Sequence, residues 1–216
     1  MGSKEEQCEP FFEYWNNRDL FNRYIGEDQR PEMVLDGYDS VDFCSEVDGD
    51  MAGLLAKGKY SDGKWNDAHD LAEAACDLLH YPSCGLQAYL IEFKSLKATS
   101  GLDDLAKKKK AKRIAQRGYE LSDGEDYISA LALYDVMRSG LFGSQNKESD
   151  KLLAKLLSRD IPGAKLRKAE QCFKKFSILS DCSKECSVVD RLIRDGRLDY
   201  ISQDKALKYQ KHSKCD

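Results

Sequence analysis

Apolar residues recur along the chain at the three-to-four-residue spacing of amphipathic helices, and no segment of useful length alternates like a strand. Phe11 and Trp15 are four residues apart in an aromatic first segment, residues 9–24. Beyond it, Ala-rich apolar stretches are separated by glycines, which typically mark turns. Further helices are expected near 32–44, 164–179, 184–194 and 203–211, with Ser183 as an N-cap and Gly196 as a C-terminal stop. The pattern predicts an all-α protein.

Two helix pairs in the middle of the chain are related by a repeat of 43 residues. The matched positions are Gly58/Gly101, Ala68/Ala111, Ala75/Gly118, Cys76/Tyr119 and Cys84/Tyr127. A third, looser unit follows Gly140 and Gly143. Small residues at matched positions let two helices approach closely, and each pair buries its apolar face on the next. The spacing therefore predicts stacked αα units.

The first unit carries a family resemblance. Its residues run from Met51-Ala52-Gly53-Leu54-Leu55 through Gly58, Ala68 and Ala75-Cys76-Asp77-Leu78-Leu79 to Cys84 and Ala88. This run resembles the Sel-1-like repeat family, especially its cysteine-rich secreted branch in bacteria. The resemblance covers residues 47–163 and implies an αα-hairpin repeat solenoid. An aromatic helical cap (1–46) and a cysteine-bearing helical cap (164–216) are expected to flank it.

In that branch two cysteines eight residues apart close each unit, which implies a disulfide between Cys76 and Cys84. The second unit departs from this pattern, with Tyr119 and Tyr127 in place of the cysteines. Cys76, His80 and Cys84 are also spaced by four, as metal ligands on a helix would be, but Pro82 interrupts such a helix. A disulfide is therefore favoured over a metal site.

The eight cysteines include no C-x2-C pair, and His69, His80 and His212 are scattered. An even count without a zinc pattern favours disulfides and a periplasmic or secreted location. The polar start is interpreted as a mature protein whose signal peptide has been removed. The remaining expected disulfide cysteines are Cys8 with Cys44, and Cys172, Cys182, Cys186 and Cys215 among themselves. No metal or cofactor is expected.

The balance of acidic and basic residues indicates which classes of partner the protein can bind. The 34 basic and 38 acidic residues give a net charge of −4, which argues against a nucleic-acid binder. No apolar run approaches the ~18 residues of a membrane span. Residues 107–113 are strongly basic, but apolar residues run through them at helical spacing, which favours a solvated helix face over an acidic-protein, nucleic-acid or lipid site. The acidic residues at 36–50 are interpreted as a solvated loop, with a basic partner as the alternative.

No nucleophile or phosphate-loop motif is present, and His69 is expected at the surface, so the chain is predicted not to be an enzyme. The resemblance implies a non-catalytic protein-binding solenoid. We expect an immunity protein that sequesters a folded antibacterial toxin, such as a phospholipase delivered by type VI secretion. The alternatives are an envelope adaptor or scaffold, and a hydrolase that interacts with penicillin-like substrates.

The repeat also predicts a binding face. Leu90 and Leu133, with Ile91 and Tyr134, are expected in the core. The side chains expected on the concave side are Tyr89, Glu92, Phe93, Asp135 and Arg138. Tyrosine and arginine are enriched among interface hot spots. Replacing Glu92 and Arg138 with alanine is expected to weaken partner binding without changing thermal stability.

Overall fold

The computed structural model describes residues 49–139, 147–174 and 182–211, and every regular element in these ranges is helical. The α-helices are α1 Gly49–Ser61, α2 Trp65–Asp77, α3 Tyr81–Phe93, α4 Asp104–Leu121, α5 Tyr127–Arg138, α6 Lys147–Ser158, α7 Pro162–Lys174, α8 Ser183–Arg194 and α9 Tyr200–Lys211. A 3₁₀ turn covers Lys97–Thr99. The all-α prediction is confirmed for this part of the chain. The expected aromatic cap (1–46), the Cys8–Cys44 pairing and Cys215 lie outside the described residues.

Side-chain caps fix where two central helices begin. The Asp103 carboxylate accepts a hydrogen bond from the Ala106 backbone nitrogen at 2.7 Å, starting α4. The Asp126 carboxylate accepts from the amides of Ile128 and Ser129 at 3.1 and 2.9 Å, starting α5. Each carboxylate satisfies amides that the first helical turn leaves unpaired. The residues at which α4 and α5 begin are therefore determined by the sequence immediately around them.

The boundaries of α8 agree with the sequence at one end only. Gly196 follows the helix with a φ of 61°, a left-handed conformation that glycine adopts without strain. At the other end Cys182 occupies the N-cap position and Ser183 is already the first helical residue. The expectation of a Ser183 cap is wrong by one residue, because the Cys182 backbone starts the helix without a side-chain cap.

Close helix approach in the centre depends on small residues. A Cβ on Gly85 of α3 would lie 2.8 Å from the Ser129 backbone nitrogen of α5. A Cβ on Gly118 of α4 would lie 2.7 Å from the Cys84 Cβ and 2.5 Å from the Ser129 hydroxyl oxygen. The matched alanines of the repeat, Ala68 and Ala111, are fully buried in α2 and α4. At Ala68 and Ala111 the 43-residue spacing thus marks equivalent buried positions in the second helices of two consecutive pairs.

Two apolar clusters organise the described residues. The larger one contains side chains from each of the six helices α1 through α6, among them Leu86, Leu90, Leu131 and Leu156. Helices α7 and α9 contribute Ala164 and Ile201 to it. The smaller one consists of Leu166, Ala169, Val189, Leu192 and Ala206 from α7, α8 and α9. The last three helices therefore have a small core of their own, and they also contribute to the larger one.

Within the described ranges, no helix combines the length and apolar character that crossing a membrane requires.

Candidate functional site

Helix α9 lies across the side of the molecule on which the sequence placed the binding face. Lys205 forms an ion pair with Asp135 of α5, with Nζ 2.9 Å from Oδ2. The Tyr60 hydroxyl of α1 donates to the Asp204 carboxylate at 3.3 Å. Ser202 meets Arg167 of α7. One helix thus contacts side chains from α1, α5 and α7, which are distant from it in sequence.

A buried charge network fixes this position. Arg167 donates from Nη2 and Nε to the two Asp135 oxygens at 2.6 and 3.2 Å, and from Nη1 to the Gly163 carbonyl at 3.2 Å. Burial alone would raise the pKa of Asp135, but Arg167 and Lys205 outweigh it and lower that pKa below its usual value. Asp135 is therefore held as a carboxylate inside the protein.

Five aromatic rings gather beside this network, where α1, α2, α3 and α9 meet. They are Tyr60, Trp65, Tyr89, Phe93 and Tyr200. The Tyr60 ring is central, with centroids 5.3 Å from Trp65, 6.2 Å from Tyr89 and 5.6 Å from Tyr200. Burial raises the pKa of Tyr60, Tyr89 and Tyr200 well above the usual range, so all three stay neutral.

Lysines cover these rings. The Lys94 ammonium lies 3.9 Å from the Trp65 centroid, and Lys57 lies 5.8 Å from that of Tyr200. Lys205 is 5.9 and 5.5 Å from the Tyr89 and Phe93 centroids. Such contacts favour a cation over an aromatic face. Together with Lys208, the five rings and these lysines form what is called here the aromatic–lysine surface.

The cations of this surface differ in their acidic partners. Lys208 bonds Asp204 at 2.9 Å, and Lys205 bonds Asp135. Among the described residues, no carboxylate oxygen lies within 4 Å of the Lys94 or Lys57 ammonium. Burial, followed by repulsion from Lys208, lowers the pKa of Lys94. Lys94 therefore carries its charge without direct neutralisation.

Two of the five residues expected on an open binding face are buried, which corrects that expectation. Tyr89 is 4% exposed and Asp135 5%. Both lie beneath α9, because Lys205 covers the Tyr89 ring and neutralises Asp135. Phe93, at the end of α3, keeps 40% of its surface exposed. Of the three residues facing α9, only Phe93 remains accessible.

The other two predicted residues, Glu92 and Arg138, are oriented away from this cluster. Arg138 donates to Asp150 of α6 at 3.0 Å, and its guanidinium lies 5.8 Å from the Tyr134 centroid. Burial raises the pKa of Glu92, an effect opposed by Ser139 and Lys108 beside it. Both side chains are thus engaged within the protein, and the predicted face divides into two separate environments. Leu90, Ile91, Leu133 and Tyr134 are buried, as expected.

Disulfides join successive helices. Cys76 at the end of α2 is bonded to Cys84 in α3, with Cα atoms 4.8 Å apart, which is the expected pairing. Cys172 is bonded to Cys182, linking α7 to the start of α8, and Cys186 is also disulfide-bonded. Glu185 lies near the Cys172 and Cys182 sulfurs, but these sulfurs are in a disulfide and offer no thiolate to a metal.

One serine–histidine pair has a superficial likeness to a catalytic arrangement. The Ser83 hydroxyl lies 2.7 Å from His80 Nδ1, and His80 Nε2 lies 3.8 Å from Asp50. Ser83 is only 1% exposed, however, so a substrate carbonyl has no route to its oxygen. A Cβ on Gly53 would lie 2.3 Å from His80 Nδ1, so the pair also fills the close contact between α1 and the start of α3. Its geometry is that of a packed helix start.

His69 is buried at 2% exposure, so the expectation of a surface residue is wrong. Its Nδ1 lies 2.9 Å from the exposed Asp70 carboxylate, which lets the ring pack inward while one nitrogen reaches a polar partner. Along the basic stretch of α4, Lys108 bonds the Ser139 carbonyl and Lys112 lies 3.8 Å from Glu148. Ala111 and Ala115, one turn from these lysines on the same side of the helix, are buried, whereas Lys109 and Arg113 are exposed.

Sequence reasoning missed the contribution of α9. Its residues Tyr200, Asp204 and Lys208 are spaced by four and share one helix face, a stripe that is visible in the sequence. The polar content of this stripe suited a terminal surface helix, so no local signal placed it against α1 and α3. Trp65 and Lys94 were missed as well. Their contact forms where the start of α2 lies beside the end of α3, and no local pattern in the sequence indicates that these two helix ends are close.

Comparison with family models, curated proteins and solved structures found no match to this chain.

Proposed function

We propose that this chain is a non-catalytic protein-binding module of the periplasm or the extracellular space. The observation that carries the proposal is the Cys76–Cys84 disulfide, which joins the last turn of one helix pair to the first turn of the next. Ala68 and Ala75 on one side of it, and the matched Ala111 and Gly118 on the other, are buried. Stacked helix pairs generally present extended surfaces to other proteins.

The disulfides support the location. Cys172–Cys182 and the bonded Cys186 add to Cys76–Cys84. Such bonds persist in oxidising compartments and are rare in reducing ones. We therefore infer that the protein acts in an oxidising compartment, where its partners are secreted proteins.

Within this class, an immunity protein is the role we favour. It would bind a folded antibacterial effector of the kind delivered by type VI secretion, and it would block that effector by covering its active site. The support is the resemblance of residues 51–88 to cysteine-rich Sel-1-like repeats. Aromatic and basic side chains suited to an interface add to it, such as the exposed Phe93 and the half-buried Lys94.

Periplasmic co-expression tests this role. The genes on either side of its own are sequenced first, and the chain is then exported in a Gram-negative host that also exports any toxin they encode. We expect restored growth and a stable complex on size-exclusion chromatography under non-reducing conditions. Full toxicity with no complex would contradict the proposal. A stable complex without any protection would instead favour an envelope adaptor.

A further inference from the structure

The aromatic–lysine surface combines accessible apolar area with unneutralised positive charge. Phe93 is 40% exposed, and the neighbouring Trp65 is half-buried beneath Lys94. Exposed aromatic side chains flanked by charge are frequent anchors in protein interfaces. The apolar component of this surface is therefore suited to a partner side chain.

Its charge is local and opposite to that of the whole protein. Lys57 and Lys94 lie over rings of this surface with no carboxylate oxygen within 4 Å among the described residues. Asp204, the acid whose charge acts on Lys94, is already bonded to Tyr60 and Lys208. An acidic partner would therefore be attracted to this surface, although the chain as a whole carries −4.

The environment of Lys94 points the same way. Burial and the charge of Lys208 both disfavour its protonated form and lower its pKa. A carboxylate docking beside Lys94 would relieve that penalty, since an opposite charge at short range favours the ammonium. The charge of Asp204 opposes part of this effect, but its carboxylate already bonds Tyr60 and Lys208, so a further acid beside Lys94 would stabilise the ammonium.

We propose that the aromatic–lysine surface binds an acidic segment of a partner protein, in which carboxylates flank an aromatic or aliphatic side chain. Phe93 and Trp65 contact the apolar side chain, and Lys57 and Lys94 pair with the carboxylates. This inference rests on the proposed protein-binding function and names the chemistry of its partner. Nucleic acid is disfavoured because most of the rings pack on one another and leave few open faces for stacking bases.

The test uses Trp65 as the reporter, in the full chain carrying Trp15→Phe so that no other tryptophan remains. The probe is a synthetic peptide that alternates glutamate and phenylalanine. We expect a saturable change in Trp65 emission whose apparent Kd rises about tenfold between 50 and 500 mM salt, since salt screens exposed charges. The same peptide with lysine in place of glutamate is expected to cause no saturable change.

Charge-reversal variants identify the surface. Lys57→Glu with Lys94→Glu should abolish the response, and Phe93→Ala should weaken it at least fivefold. The matched control, Lys109→Glu with Lys151→Glu, makes the same charge change at exposed positions on α4 and α6 and should bind like the parent. Circular dichroism and thermal midpoints establish that each variant is folded.

Three outcomes would overturn the inference: no saturable change with the acidic peptide, equal loss in the control variant, or tighter binding of a dT12 oligonucleotide than of the peptide. The co-expression assay separates this failure from failure of the proposed function. Protection that survives Lys57→Glu with Lys94→Glu overturns only the acidic docking site. Absence of protection by the parent chain contradicts the function itself, whatever the peptide does.

Discussion

The helices α1–α6 and the helices α7–α9 are stabilised differently. In the first region, long apolar side chains such as Leu86 and Leu131 pack around closely approaching small residues, including Gly85 and Gly118. The second region has a small cluster of five buried apolar side chains. It joins the first through Ala164 and Ile201, which extend into the larger cluster, and through ion pairs and ring contacts. The first arrangement depends on shape, and the second depends on keeping buried charges paired. Substitutions in the first region should therefore destabilise the protein by disturbing packing, and those at its junction with the second by leaving buried charges unpaired.

The largest effect is expected from Asp135→Ala. The substitution leaves Arg167 fully buried without its carboxylate partner. Breaking one side of a buried ion pair costs about 3–5 kcal/mol. Urea unfolding of the variant at pH 7 should show that loss. A loss below about 1 kcal/mol would mean that the junction between the two regions does not depend on this pair.

A double variant separates pairing from packing at the same junction. Asp135→Leu with Arg167→Met removes both charges of the buried pair and keeps apolar volume. Lys205 also loses its carboxylate, but it is 16% exposed and can turn its ammonium toward solvent. Replacing both members of a buried pair by apolar residues is often neutral. The double variant is expected to recover most of the stability lost in Asp135→Ala, and no recovery would indicate that the junction needs its charges for another reason.

Acid should loosen the same junction. The lowered pKa of Asp135 contributes stability in full above the unfolded-state pKa of aspartate, about 3.9. That contribution is lost as pH falls through the lower folded-state pKa, since the carboxylate must then take up a proton. Unfolding free energies measured between pH 7 and 2.5 should fall at the acid end. Asp135→Ala should lack this part of the fall.

The next largest effect concerns the disulfide inside the first region. Replacing Cys76 and Cys84 together with alanine is expected to lower the free energy of unfolding by about 2–3 kcal/mol, because the unfolded chain gains freedom. Hydrogen exchange should show reduced protection across α1–α6. Cys172→Ala with Cys182→Ala serves as the matched control, since its loop is of similar length, and its loss of protection should be confined to α7 and α8. The same pattern of exchange in both variants would mean that the two regions unfold as one unit.

A smaller loss is expected at the glycine contacts. Gly85→Ala forces α3 and α5 apart, since the added Cβ would lie 2.8 Å from backbone of α5. Overpacking of this kind costs about 1–3 kcal/mol. Gly58→Ala is the control, because no atom of another residue lies within 4 Å of the Cβ that the substitution adds. It should stabilise α1 by up to about 1 kcal/mol, since alanine favours a helix over glycine. Thermal midpoints that shift in the same direction for both variants would refute the close-packing account.

Much of the first region could be predicted from sequence, and little of its junction with the second. Ala68 and Ala111 revealed equivalent buried positions because their spacing follows the helix pairs. Asp135 was expected on the concave side because the adjacent Leu133 and Tyr134 were assigned to the core. Its partners Arg167 and Lys205 lie on α7 and α9, where local periodicity holds no information about a contact with α5. The candidate site was therefore predicted only in part: Phe93 is exposed, but the helix that covers Tyr89 was not foreseen.

The smallest effect is expected at Arg138, which offers the sharpest contrast with Arg167. Arg138 also pairs with an aspartate, yet its partner Asp150 is 58% exposed, whereas Asp135 is 3% exposed as a side chain. Ion pairs open to solvent contribute about 0–1 kcal/mol, because water and salt already screen both charges. Arg138→Ala should therefore lower the free energy of unfolding by less than about 1 kcal/mol, with part of the loss coming from its contact with the Tyr134 ring. Asp150→Ala is the control, because it removes the ion pair and keeps that ring contact. A loss at Arg138 as large as that of Asp135→Ala would mean that burial does not set the strength of these pairs, and the distinction between the two regions would then have to rest on packing alone.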